Sequence, residues 1–156
     1  MTASEKLITH FYTCFQNKDF KGMQDCYATN ATFNDAIFKN LNANQVKAMW
    51  QMLITKGKDM QLEFKLISST ENSASVHWDA YYTFSATGNK VTNRVDATFA
   101  IENGKIVKHT DQFNFYKWSK QALGFTGILL GWTSFFNKKI SAQAMKNLDI
   151  FMAKNN

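Results

Sequence analysis

The spacing of apolar residues changes once along this chain, near Met60, from a helical repeat to strict alternation, and no other feature constrains the fold as much. From there Met60, Leu62, Phe64 and Leu66 alternate with Gln61, Glu63, Lys65 and Ile67, the pattern of a strand whose side chains point to opposite faces. A second run, 74–85, sets Val76, Trp78, Ala80, Tyr82 and Phe84 against His77, Asp79, Tyr81 and Thr83 before Thr87-Gly88-Asn89 turns the chain. Strands over 91–102 and 105–116 flank Asn103-Gly104, a dipeptide suited to a tight hairpin because both positions tolerate positive φ. Turns this short join antiparallel neighbours.

Ahead of the change, the pattern is helical. Thr2-Ala3-Ser4-Glu5 forms a capping box, and Leu7, Ile8, Phe11 and Phe15 follow on one face of a helix running to about Asn17. Asp19 can cap a short second helix through Cys26, and a short strand is expected over 31–38. Asn42-Ala43-Asn44-Gln45 is another capping box, followed by Val46, Met49, Trp50 and Leu53 and stopped by Gly57. Three helices on one face of a strongly curved antiparallel sheet make an α+β cone, whose unfilled end is a natural apolar pocket. Residues 1–116 suffice for this domain. Residues 117–156 form a helical extension broken by Gly124, Gly127 and Gly131, with Ser141 as cap of a last helix carrying Ala144, Leu148, Phe151 and Met152 on one side. Such a tail closes the cone, packs on the sheet, or joins a homodimer partner.

Composition narrows the function classes. At 156 residues, with fourteen Phe, five Tyr, four Trp and no proline, the chain has material for one aromatic-rich core and no linker. Its net charge of +6 is scattered, and Arg94 is the only arginine, which argues against nucleic-acid recognition by bidentate contacts. The N-terminus lacks the pattern of a targeting signal, so cytoplasmic residence is expected. The apolar stretch 123–136 falls short of the ~20 residues of a bilayer span, so no membrane partner is expected. Cys14 and Cys26 lack partners at metal-ligand spacing and are read as reduced thiols; neither metal nor cofactor is expected.

The order of elements, together with Phe11-Tyr12-Thr13-Cys14-Phe15 and Asp19, Ala31-Thr32-Phe33-Asn34-Asp35, and Asn103-Gly104-Lys105-Ile106-Val107 leading to His109-Thr110-Asp111, resembles the nuclear-transport-factor-2-like superfamily in its SnoaL-like branch. The resemblance runs from about Ser4 to Tyr116. It implies a cone with a pocket for a small apolar or aromatic molecule and commonly a dimer. It does not imply one reaction, because the superfamily includes ketosteroid isomerase, limonene epoxide hydrolase, polyketide cyclases, scytalone dehydratase and noncatalytic binding proteins.

Four carboxylates are candidates on this basis. Asp35 resembles the general base of ketosteroid isomerase; the competing reading is a turn cap before Ala36. Asp111 resembles the acid/base aspartate of SnoaL-type cyclases, and alternation puts it on one face with Val107, His109 and Phe113, where an acid needs a partner. His109 can be that partner, either as a catalytic pair or as a buried ion pair. Asp79, with His77, stands where the epoxide hydrolase carries an Arg and Asp pair, and Asp96 where the isomerase carries a proton-donating aspartate. Both enter the pocket only if strand phase permits, since Trp78, Tyr82, Val95 and Ala97 alternate against them. Phe11, Phe15, Phe33 and Trp50 complete the candidate set as pocket walls or core. The expected function is acid/base chemistry on a small apolar substrate, with noncatalytic binding as the alternative.

Overall fold

A computed structural model describes residues 1–155; Asn156, part of the expected extension, lies outside the described residues. Helix α1 (Ala3–Gln16) starts on the Thr2 capping box, in which Thr2 and Glu5 satisfy each other's backbone N–H groups. Asp19 caps α2 (Phe20–Gln24), and Asn42 and Gln45 form a second reciprocal box on α3 (Ala43–Lys56), which ends at Gly57. Between them run β1 (Tyr27–Asn34) and the two-residue β2 (Leu41–Asn42). The strand expected over 31–38 is thus shifted towards the N-terminus, because Asp35 folds the chain back and Asp35 N–H bonds the Phe38 carbonyl at 2.8 Å.

The four long strands, β3 (Gln61–Ser69), β4 (Ser73–Thr83), β5 (Lys90–Glu102) and β6 (Lys105–Gln112), pair in antiparallel succession. Asn103 and Gly104 both take positive φ, 50° and 73°, as the hairpin requires. Strand β1 adds to β6 in parallel, giving a curved, unclosed sheet of order β2-β1-β6-β5-β4-β3. This parallel pairing brings residues of the N-terminal third against β6. A bulge opposite Ala100 and Ile101 sets Ile106 inward and leaves Val107 half-buried, so Val107 does not share the inner face with His109 and Asp111 as simple alternation implied.

The extension forms three helices: α4 (Phe115–Leu123), α5 (Phe125–Leu130) and α6 (Ser134–Lys154). Thr133, not Ser141, caps the last one. It has an extended backbone and a hydroxyl that accepts from the Phe136 N–H at 3.2 Å, whereas Ser141 lies inside the helix. Helix α6 packs its Ala144, Leu148, Phe151 and Met152 face onto the main core, with Leu148 fully buried. Helix α4 instead packs on β5 and closes one end of the cone, where Trp118 and Ala122 join Val91, Tyr82, Phe113 and Ile37. Among the described residues no helix is long and apolar enough to cross a membrane.

Candidate functional site

The inner faces of β1, β6 and α3 meet at His109, which is buried. Four side chains line up through it. The Trp50 indole N–H donates to the Tyr27 hydroxyl at 2.8 Å, the Tyr27 oxygen is 2.8 Å from His109 Nδ1, and His109 Nε2 is 2.8 Å from Asp111 Oδ1. The chemistry of the ends fixes where the protons sit. An indole only donates, so Tyr27 accepts from Trp50 and its own proton goes to His109 Nδ1. The remaining imidazole proton is then on Nε2 and is donated to Asp111. With the protons placed this way every link of the chain has one donor and one acceptor. Burial, opposed by the Trp50 hydrogen bond and reinforced by the Asp111 charge, holds the Tyr27 hydroxyl well above its ordinary value, so it remains a donor.

Only Oδ1 of Asp111 is used in this chain. Oδ2 has no hydrogen-bond partner among the described residues. Nearby, Asp35 Oδ1 accepts from the N–H groups of Ile37 and Phe38 at 2.7 and 2.6 Å, so the turn-cap reading of Asp35 is structurally correct. The cap does not keep the acid ordinary. Burial pushes the Asp35 carboxyl up to about 7, against those two backbone bonds, and the Asp111 charge adds to the rise while Lys39 opposes it. Between the usual value near 3.8 and about 7, the folded chain therefore holds a proton on Asp35 that the unfolded chain releases. Stability from this group is full below the usual value and falls as pH rises through 7. Asp35→Asn keeps an oxygen for the two N–H groups but cannot ionise. Thermal melts should show the variant gaining on the native chain between pH 4 and pH 8 by on the order of a few kcal/mol; a pH-independent difference would contradict this.

Two tyrosines missed by sequence reasoning share this region. Tyr82 accepts from the Trp118 indole at 2.9 Å, and its own proton has no acceptor among the described residues; burial raises it first, and Asp35 raises it further. Tyr12 is buried with a hydroxyl that has no partner among the described residues, raised by burial and then by Asp111. The sequence signal for Tyr82 was an aromatic on an inward phase, which a core residue shares.

The other candidates fall elsewhere. Phe11, Phe15, Phe33 and Trp50 form one edge-to-face cluster around His109, with Phe33 at 4.9 Å and Phe11 at 5.7 Å from its ring. All four are buried and belong to the main core, so the core reading of these residues is the one the structure adopts. Asp79 and Asp96 lie on the outer face, since Trp78 and Val95 take the inner phase, so the strand phase that would have carried these two candidates into the pocket is not the one adopted. There both share His77, at 3.0 and 2.8 Å, and hold it above its usual value, Asp96 more than Asp79. Two surface clefts, of about 340 and 320 Å³, open beside α3 and α6 and beside β3; neither is lined by Asp35, His109 or Asp111. No group of three His, Cys, Asp or Glu residues converges as metal ligands among the described residues.

A family model described as a SnoaL-like domain matches residues 8–109, from α1 to the central histidine. No curated protein matches in sequence. A candidate polyketide cyclase from Xanthomonas campestris superposes with TM-score 0.67 at 15% identity, over 76% of this chain and 96% of its own. An LEH-like epoxide hydrolase from M. tuberculosis gives 0.61 at 15% over 80% and 92%, and an NTF2-like protein of unknown function from Burkholderia pseudomallei gives 0.63 at 19% over 73% and 92%. At these identities the likeness is one of fold. About a quarter of this chain has no counterpart in the first of them.

Proposed function

This chain belongs to the SnoaL-like domain family, and from that premise we propose that it is a cofactor-free acid/base enzyme for a small, largely apolar molecule bound between Asp111 and the α4 cap. The observation that carries the reading is the buried Trp50–Tyr27–His109–Asp111 chain, which ends on one unbonded carboxylate oxygen. A purely structural ion pair needs neither a fixed tautomer relayed through a tyrosine nor a free oxygen at its end.

Asp111 Oδ2 is the base. It takes a proton from a carbon beside a carbonyl, or from water, while His109 holds Oδ1 and keeps the carboxylate oriented. Asp35 is the acid: the ionised Asp111 close by helps it hold its proton to about pH 7, so one environment separates two carboxylates into two roles. Tyr82 has a free proton for an oxygen that gains charge. Ile37, Phe113 and Trp118 supply the apolar contact. Isomerisation, cyclisation, dehydration and epoxide opening all need one base and one acid across a small substrate, so this apparatus serves any of them.

The test is deuterium exchange and turnover, followed by NMR in D₂O, over a panel of aromatic and polycyclic ketones and epoxides. Asp111→Asn should lower the rate by about 10²–10⁴-fold and leave ligand affinity within a few-fold. Equal rates in native and variant protein would remove Asp111 from the chemistry. Tight ligand binding without turnover by the native chain would favour the noncatalytic alternative.

A further inference from the structure

Helix α5 presents its apolar side chains outward. Phe125 is 74% exposed, Trp132 72% and Phe135 78%, and Ile128 and Leu129 are exposed beside them. The cause is local. Gly127 and Gly131 form the face that presses on α4, where a Cβ at Gly127 would overlap the Ser119 backbone and one at Gly131 would come within 2.8 Å of Ser119 Cβ. With the glycines turned in, the large residues have only the outside. A corner built this way has the polarity of a surface helix reversed.

The charge carried by this segment itself is of one sign. Between Asp111 and Asp149 there is no Asp or Glu, while Lys117, Lys120, Lys138, Lys139 and Lys146 are all exposed. Lys120 lies 4.7 Å over the Tyr116 ring, and the Tyr116 hydroxyl bonds the Ile128 carbonyl at 3.3 Å, which ties this cation to α5. Lys138 and Lys139 follow Phe135 by about one helical turn.

We infer that the α5–α6 corner is a wedge that seats on an anionic lipid surface, with Phe125, Ile128, Leu129, Trp132 and Phe135 in the acyl boundary and the lysines against headgroup phosphates. An apolar ridge with interfacial aromatics, on a segment that carries exposed lysines and no acid of its own, is the composition such a surface selects. Because the ridge only lies on the bilayer, the segment's shortness, which argued against a span, is no obstacle. A second copy fits less well: a two-fold contact through this corner would face the lysines of one chain with those of the other. The site of action proposed above is not assumed, though α4 joins the wedge to its cap.

Sedimentation of the full chain with sucrose-loaded vesicles tests this. Pelleting with phosphatidylcholine containing about a third phosphatidylglycerol should exceed pelleting with phosphatidylcholine alone by at least about tenfold and fall at high salt. The double variant Trp132→Ser/Phe135→Ser should lose at least about tenfold of that binding, as should Lys138→Glu/Lys139→Glu, with melts that overlay the native one because all four residues are exposed. Native-level pelleting of the Trp132/Phe135 variant overturns the inference. So does the absence of pelleting at low salt, whether the chain is monomeric or forms a dimer that this variant splits; the latter would assign the corner to a second copy.

Discussion

Replacing His109 with alanine is expected to lower the unfolding free energy by about 3–5 kcal/mol, the usual consequence of stranding a buried charge. His109 is the hydrogen-bond partner of Asp111 among the described residues, and the Asp111 side chain is 3% exposed, so removing His109 leaves the carboxylate desolvated and unpaired. The Tyr27 proton loses its acceptor as well, and the ring vacates a space bounded by Phe99 at 4.1 Å and Phe33 at 4.9 Å. Guanidinium unfolding measures the loss. Adding Asp111→Asn in the His109→Ala background should restore part of it, because a neutral amide is less costly to bury than an unpaired charge, giving a coupling of about 0.5–3 kcal/mol. Strictly additive single and double variants would show that the two residues do not act as a pair.

Gly127→Ala separates two effects of opposite sign. Helix propensity alone predicts a gain of up to about 1 kcal/mol for alanine over glycine. The contact with Ser119 predicts a loss, since the added carbon meets backbone rather than the end of a flexible side chain. Forcing atoms into a packed contact typically costs about 1–3 kcal/mol, sometimes more, so the contact should win and the variant should melt lower. Because the clash is with α4, hydrogen exchange should accelerate at Trp118 to Ala122, the residues that close the cone. A variant that melts at or above the native temperature would mean that α5 does not press on α4 as described.

Much of the fold was legible because its signals are local. The change of period at Met60, the capping residues Thr2, Asp19 and Asn42, and the Asn103-Gly104 turn each depend on neighbours within a few positions, and each stands where expected. Strand phase likewise set Asp79 and Asp96 against the core residues, leaving them a place in the pocket only if that phase were reversed, and brought His109 and Asp111 to one face. It failed at Val107, where a bulge breaks alternation without any glycine or proline to mark it. Ser141 was the cap expected from residue type, but the helix starts about two turns earlier, on Thr133, just after α5 ends.

What sequence alone determined here is the set of elements, their faces and one half of the site, the His109–Asp111 pair two residues apart. Tertiary structure decided the other half. Tyr27 reaches His109 across 82 positions, and Trp50 reaches Tyr27 across 23. These contacts exist because β1 docks on β6 in parallel, a pairing that no turn between them specifies. It also decided that four aromatics read as pocket walls or core belong to the core, that Tyr82 and Trp118 meet at the end of the cone, and that the large side chains of α5 face outward. Periodicity records which face a side chain takes, a property of the local backbone. Which distant face it meets depends on sheet register and on volumes filled from several elements at once.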